Sequence, residues 1–390
     1  MKNISSFNNK VFLYFCRGNT SLNAILPLID ILENKSLTIL YGKNFNLSNF
    51  DMHIINKSNT SKIEYFFNIY EKFILLLNRY VKSKNFRKII SKYICTNYTD
   101  KLTELLIKHI GTEKNKIFYL IFDHSDNDYI KSIISKFRER FGNNCIAISI
   151  SQGELVLTNK MVNDFDIYPI TSNYSFFNKV VCSNEDQYKL FEGNKIILRD
   201  LGSTKEWHEK ISDFFISKKN KNIEVSYNSN FLILHSNSYG NINIKEYKRT
   251  YMIFKNSKFK NFYFRPHPVN GKKELIKILG NNFNQCKENT LSESLLNSDI
   301  VVAIQSQAIF QALLMRKPVV VLAYMTSNKL SKILNTHCVV LYSPQELYDL
   351  LILEPKILWE KFRQLSYIYQ DGYNYYQLKN KWLKLLNLNY

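Results

Sequence analysis

Phe262-Tyr-Phe-Arg-Pro-His-Pro268 and Ala303-Ile-Gln-Ser-Gln-Ala-Ile-Phe-Gln-Ala-Leu-Leu-Met-Arg-Lys-Pro-Val-Val-Val-Leu322 carry the fold of this chain. In each, an apolar run of the kind that parallel sheets bury on both faces stops abruptly at polar residues. The carboxyl end of such a strand is where parallel sheets present chemistry. The second stretch goes on into a helix and a new strand, so Ser306 is expected in a strand-to-helix turn between Gln305 and Gln307. Backbone N–H groups and the positive end of the helix dipole suit that turn to a phosphate; an ordinary Ser N-cap would use the same position without a ligand. A phosphate-bearing ligand is the first functional expectation.

Strands and helices alternate on either side of these stretches, which predicts an α/β chain with doubly wound parallel sheets. Val11–Cys16 reads as a strand, Gly18 as part of a tight turn, and Leu22–Leu32 as a helix capped by Thr20 or Ser21. Leu37–Tyr41 is a strand, and Ile63 to His109 reads as mostly helical, closed by Gly111. Ile117–Phe122 and Cys145–Ile150 are strands around the helix Tyr129–Phe141, and Val180–Cys182 and Lys195–Leu198 complete the first domain. The polar segment 218–230 lacks apolar periodicity and reads as a linker. From Phe231–Leu234 the alternation restarts through Asn261–Phe264, a short strand near Gln285, Ile300–Ile304 and Val319–Leu322. Beyond Pro344 the chain reads as helical. At 390 residues the chain exceeds what one hydrophobic core supports. The expected division is therefore an N-terminal domain over 1–217, the linker 218–230, a second domain over 231–345, and C-terminal helices over 346–390. No Gly-x-Gly-x-x-Gly follows either first strand, which argues against a dinucleotide cofactor.

The Arg265-Pro-His-Pro268 strand end, the Ser306 turn, its helix and the Lys317-Pro-Val-Val320 strand resemble the C-terminal half of the two-domain GT-B glycosyltransferases. The variants most alike are those of bacterial capsule and lipopolysaccharide synthesis, including CMP-Kdo and CMP-sialic acid transferases with their His-Pro motif. The CDP-glycerol and polyol-phosphate transferases share the layout. Phe177-Asn-Lys-Val-Val-Cys-Ser-Asn-Glu-Asp-Gln187 and Leu201-Gly-Ser-Thr-Lys-Glu-Trp207 resemble the end of the first domain in that group. The resemblance implies two Rossmann-like domains facing a central cleft, with the last helix crossing back to the first domain. It also implies a donor, CMP-linked by preference, and a glycan or glycolipid acceptor.

His267, held between two prolines, has a restrained backbone and an aimed ring, suited either to packing in a turn or to donating to a donor phosphate. Arg265, two residues earlier, falls on the same strand face and suits a phosphate or an acidic sugar. With Ser236, Gln305, Ser306, Gln307 and Gln311 they form the expected nucleotide set. Gln311 stands where many of these enzymes carry a ribose-binding Glu. On the acceptor side the expected residues are Gly18, Asn19, Gln152 and Gly153. Glu154, after the strand Cys145–Ile150 and a glycine turn, is the first candidate for general base, and Asp123 is the second. Either could instead cap a helix. Asp126-Asn-Asp128 has the spacing of a metal pair and equally that of a capped loop, so metal-independent chemistry is expected.

The formal charge of +20, from 53 Lys and Arg against 33 Asp and Glu, attracts nucleotide phosphates, acidic sugars, anionic lipid or nucleic acid. Abundant Asn, Lys, Ile and Phe also match an AT-rich coding bias. Nucleic acid is the non-enzymatic alternative, and it is disfavoured because the aromatics follow core spacing and no binding module is present. The six cysteines are far apart, without metal-ligand spacing, and suit packing in a reducing cytoplasm. No signal peptide or membrane span is read from the sequence. Residues 367–390 interleave Tyr375, Tyr376, Trp382, Leu383, Leu385 and Leu386 with lysines. They are expected either on the inner face of an anionic membrane or packed on the first domain.

Overall fold

The computed structural model describes residues 9–33, 36–42, 45, 47–57, 60–66, 80, 83–111, 115–123, 128–150, 175–183, 188, 193–197, 204–215, 225–236, 242–267, 271–288, 290–306, 308–326, 333–366 and 374–388. They form two compact units. One holds the described residues of Met1–Gly153, Ile170–Gly202 and Tyr375–Tyr390; the other holds those of Ser203–Asn374.

In the first unit the chain runs β1 (Lys10–Cys16), α1 (Asn19–Leu32), β2 (Ser36–Gly42), α2 (Asn49–Lys57), β3 (Thr60–Phe66), α3 (Lys84–Ile110), β4 (Ile117–Asp123), α4 (Asp128–Phe141), β5 (Cys145–Ile150), β6 (Lys179–Cys182) and β7 (Lys195–Ile197). The described strands make one sheet in the order β3-β2-β1-β4-β5-β6-β7, and every pairing is parallel. Central strands are apolar at successive positions because helices cover both faces. Phe15 pairs with Phe122 in register, and their rings stack at 4.4 Å. Tyr98, Leu102 and Leu106 of α3 and Ile130, Ile133 and Phe137 of α4 close over that face.

The sequence reading missed five elements: β3 and α2 here, and Lys205–Phe215, Ile333–His337 and Val339–Leu341 in the second unit. Ile63 to Phe66 belongs to the edge strand β3, not to a helix. Its alternation, with Ile63 and Tyr65 toward the core, has period two. Ser36 and Thr60 share a hydrogen bond at 2.7 Å that pins its register to β2.

The second unit continues with α5 (Lys205–Phe215), β8 (Asn230–Leu234), α6 (Ile244–Lys255), β9 (Asn261–Arg265), α7 (Gly271–Leu279), α8 (Leu291–Leu296), β10 (Ile300–Ala303), α9 (Ala308–Leu314), β11 (Val319–Leu322), α10 (Ile333–His337), β12 (Val339–Leu341), α11 (Pro344–Leu351) and α12 (Pro355–Ser366). Its described strands form a parallel sheet in the order β12-β11-β10-β8-β9. Helix α5, read from sequence as part of 1–217, groups with this unit. Of the segment read as a linker, Val225 is buried in the second core and Ser226 to Ser229 form a hydrogen-bonded turn into β8. The strand near Gln285 is a single parallel bridge to Phe264.

Helix α13 (Tyr375–Leu385) returns to the first unit, where the Tyr375 hydroxyl donates to the Asp30 carboxylate on α1. The carbonyls at its end and just past it accept from three directions. Lys179 Nζ donates to Leu385 O at 2.5 Å, Tyr119 to Leu386 O at 2.7 Å, and Lys10 Nζ to Asn387 O at 2.8 Å. Trp382, Leu383, Leu385 and Leu386 are buried, the second of the two arrangements expected for this segment, while Tyr376 stays exposed. Among the described residues no helix is long and apolar enough to cross a membrane.

Candidate functional site

Each sheet has one point where connections leave in opposite directions, and the loops diverging there open a crevice at the carboxyl ends of the strands. In the first unit this point lies between β1 and β4, and in the second between β8 and β10.

At the first switch point β1 ends in Cys16 and β4 in Asp123, which is buried. Ser21 does not cap α1. Its hydroxyl donates to Asp123 Oδ2 at 2.5 Å, and the helix begins at Asn19 with Gly18 as an N-cap that provides no side-chain bond. Gly18 has extended backbone, φ −168° and ψ 178°, rather than a tight turn, and a Cβ there would meet open space. Arg17 and Asn19 are exposed beside it. Burial, with Asp123 adding to it, pushes the Cys16 thiol well up. The same causes raise the Tyr41 phenol, with Arg17 opposing. A thiol held protonated is a poor nucleophile. Gln152, Gly153 and Glu154 lie outside the described residues, as do Asp126 and the side chain of Asp128.

At the second switch point the strand ends are stitched together. His235 N donates to Arg265 O at 3.0 Å, which extends the β8–β9 ladder by one residue. The Ser236 hydroxyl donates to Gln305 O at 2.8 Å, bridging the ends of β8 and β10 directly over the switch point. Gln305 Oε1 accepts from Thr326 at 3.2 Å, which fixes the other end of that residue. Ser306 Oγ accepts from Ala308 N at 3.2 Å, the ordinary capping bond that its position allowed. Gln311 is half-buried on α9, and Gln307 lies outside the described residues.

His267 and Arg265 line the same open depression, together with Gly271, Lys272, Lys273 and Glu288. Arg265 is nevertheless anchored. Its Nη1 donates to Ser294 Oγ at 2.7 Å and to Glu288 O at 3.0 Å, so the guanidinium expected on a phosphate braces α8 and the Cys286 loop. Gly271 is required by crowding: a Cβ there would lie 2.9 Å from His267 Cβ and 3.1 Å from the Pro266 carbonyl carbon. The first turn of α7 thereby presses on the His267 backbone, and Gly271 N donates to His267 O at 3.1 Å.

Sequence reasoning passed over His235, although it directly follows the apolar run of β8 and obeys the same strand-end rule that singled out His267. Its Nδ1 lies 3.1 Å from the Tyr247 hydroxyl and its Nε2 3.4 Å from Glu274 Oε2. The Glu274 carboxylate can only accept, so Nε2 carries the proton that points at it, and in the neutral ring Nδ1 accepts from the Tyr247 hydroxyl. Burial lowers the His235 pKa; Glu274 opposes this and His267 adds to it. Tyr247 and Glu274 sit on ordinary amphipathic helices and gave no sequence signal.

No family model matches the chain, and no curated protein sequence matches it. Solved structures do. S. aureus MnaA with UDP superposes with a TM-score of 0.57 at 12% identity, covering 98% of each chain. The UDP-GlcNAc 2-epimerase of Methanocaldococcus jannaschii, in complex with UDP-GlcNAc and UDP, gives 0.58 at 12%, covering 97% of this chain and 99% of that one. A trehalose-6-phosphate synthase studied for glycosyltransfer with retention gives 0.55 at 9%, covering 97% and 99%. At these identities the likeness speaks for architecture, and with two parallel-sheet units in this strand order the chain has the GT-B fold.

Proposed function

We propose that this chain is a sugar-nucleotide-dependent enzyme of the GT-B type. More specifically, we read it as a transferase that moves a sugar from a CMP-linked donor, such as Kdo or sialic acid, to a glycan or glycolipid of a surface polysaccharide. The observation that carries the reading is the stitched switch point of the second unit. There Ser236 bonds Gln305 across the ends of β8 and β10, beside a depression lined by His267 and two lysines. Such a crevice is where open parallel sheets bind nucleotides.

In this reading His267 donates to the donor phosphate, where negative charge grows as the nucleotide leaves. The acceptor hydroxyl oxygen forms the bond to the anomeric carbon as the bond from that carbon to the phosphate oxygen breaks, and the acceptor proton passes to a carboxylate, Glu154 or Asp123. No metal step is required. The CMP preference rests on the Arg265-Pro-His-Pro268 motif. A second reading, a UDP-sugar substrate and epimerisation in place of transfer, is favoured by the UDP ligands named for the superposed structures.

Thermal melting of the full chain with CMP, CDP and UDP tests both. A nucleotide bound only to the folded state at a hundred times its Kd stabilises by about 2.7 kcal/mol. CMP preference supports the acidic-sugar donor, CDP preference a polyol-phosphate transferase, and UDP preference the second reading, which incubation with UDP-GlcNAc then resolves into transfer or epimerisation. No shift with any nucleotide rejects the enzyme reading and returns nucleic acid as the candidate ligand.

A further inference from the structure

The depression beside His267 carries both signs of charge. His267, Lys272 and Lys273 line it, and so do Glu288, Gln285 and the apolar Ile276. Its volume is about 630 Å³, within the roughly 300–1,000 Å³ of clefts that take small molecules. The segment that bears Glu288 is tied to the edge of the sheet, since Cys286 N donates to Phe264 O at 2.9 Å. The place of Glu288 relative to the end of β9 is therefore set by the backbone.

The Glu288 carboxylate is also aimed. Its Oε1 accepts from Asn297 Nδ2, at the end of α8, at 3.1 Å, and its Oε2 accepts from the Cys286 thiol at 2.8 Å. Arg265 bonds the Glu288 backbone carbonyl rather than the carboxylate, and among the described residues no ammonium group bonds it. Burial raises the Glu288 pKa, but the bonds from Cys286, Asn297 and its own backbone, with the charge of Arg265, outweigh this and hold it below the ordinary carboxylate value. It is thus an ionised, acceptor-only group, and each oxygen keeps a lone pair for a further donor.

A bare phosphate would suit the lysines and be repelled by this carboxylate. A ligand that suits both carries its anion and its hydrogen-bond donor at separate ends. A cytosine nucleotide does so: the phosphate is at one end, and at the other the base presents an amine at C4, for which a carboxylate is the natural acceptor. Uracil presents an oxygen at that position, and a carboxylate repels it. We propose that Glu288 selects the base of the donor by accepting from the cytosine amine, an inference that rests on the reading of the second unit as the nucleotide site.

The test is calorimetric titration of the full chain with CMP, UMP, AMP and the nucleotide of pyrimidin-2-one, which is CMP without its amine. The wild type should bind CMP about tenfold or more tightly than UMP or the pyrimidin-2-one nucleotide, because the bond that is lost goes to a charged group. AMP should bind more weakly than CMP. Glu288→Gln exchanges one acceptor oxygen for an N–H donor, so CMP should weaken by about tenfold while UMP binds as well as before or better. Retained UMP binding also reports an intact fold, and the comparison of CMP with the pyrimidin-2-one nucleotide needs no substitution at all. Equal affinity for those two in the wild type, tighter binding of UMP or AMP than of CMP, or equal loss of CMP and UMP in Glu288→Gln overturns the role of Glu288 and leaves the nucleotide reading standing. Binding of no nucleotide rejects that reading, and this inference with it.

Discussion

The Ser21 hydroxyl donates to Asp123 Oδ2 at 2.5 Å, tying the first turn of α1 to the carboxyl end of β4 across the first unit's switch point. Leaving a buried carboxyl oxygen unsatisfied costs about 1–3 kcal/mol. Ser21→Ala should therefore lower stability by that amount. If Asp123 takes the acceptor proton, the same substitution lowers kcat more than it raises KM, and Ser21→Thr restores it. Equal loss of stability with unchanged kcat would make the bond structural only.

The choice of base is decided by two isosteric changes. Glu154→Gln is expected to abolish turnover while leaving nucleotide affinity unchanged, measured as nucleotide release from the activated sugar. Near-normal turnover in Glu154→Gln, with loss in Asp123→Asn, assigns the role to Asp123.

His267→Ala should remove about 2–4 kcal/mol of transition-state stabilisation, seen as a fall in kcat/KM, with the melting temperature retained. Arg265 should behave differently. Because its guanidinium braces Ser294 and the Glu288 carbonyl, Arg265→Ala should lower the melting temperature as well as activity.

Gly271→Ala places a methyl group 2.9 Å from His267 Cβ, and the backbone carbon of Pro266 at 3.1 Å cannot rotate away. Overpacking of this kind costs about 1–3 kcal/mol. The expected outcome is reduced stability together with weakened nucleotide binding, since the residue displaced is His267. Calorimetric titration with the stabilising nucleotide measures the second effect.

His208 on α5 is buried, and among the described residues neither ring nitrogen has a hydrogen-bond partner. Burial pushes its pKa from the ordinary 6.5 down to about 4. The unfolded chain thus takes up a proton that the fold refuses. This contribution to stability is fully present above pH 6.5 and is lost as pH falls through 4, amounting to about 3 kcal/mol. Denaturant titrations at several pH values should show that slope, and His208→Leu should flatten it.

Local chemistry determined which segments became β1, β4, β5, β8, β10 and β11, and the Phe262–Phe264 run also marked the edge strand β9, although Tyr263 is exposed. A strand covered on both faces must be continuously apolar, and that signal survives without knowledge of its neighbours. The polar residues at their carboxyl ends, Asp123, Arg265, His267, Gln305 and Ser306, were legible for the same reason. The edge strands β3 and β12 were not, because a strand covered on one side alternates or is too short to separate from flanking helix. Only the tertiary structure decided which strand ends meet. The Ser21–Asp123 and Ser236–Gln305 bonds join residues 102 and 69 positions apart, and that proximity comes from strand order. The same holds for Arg265, whose side chain suits a phosphate or a protein brace equally well until Ser294 is placed beside it. It holds too for α13, whose apolar side suits a bilayer or a core, and which packing on α1 assigns to the core. Burial is a property of the whole fold, so a side chain's chemistry limits its roles and its neighbours select among them.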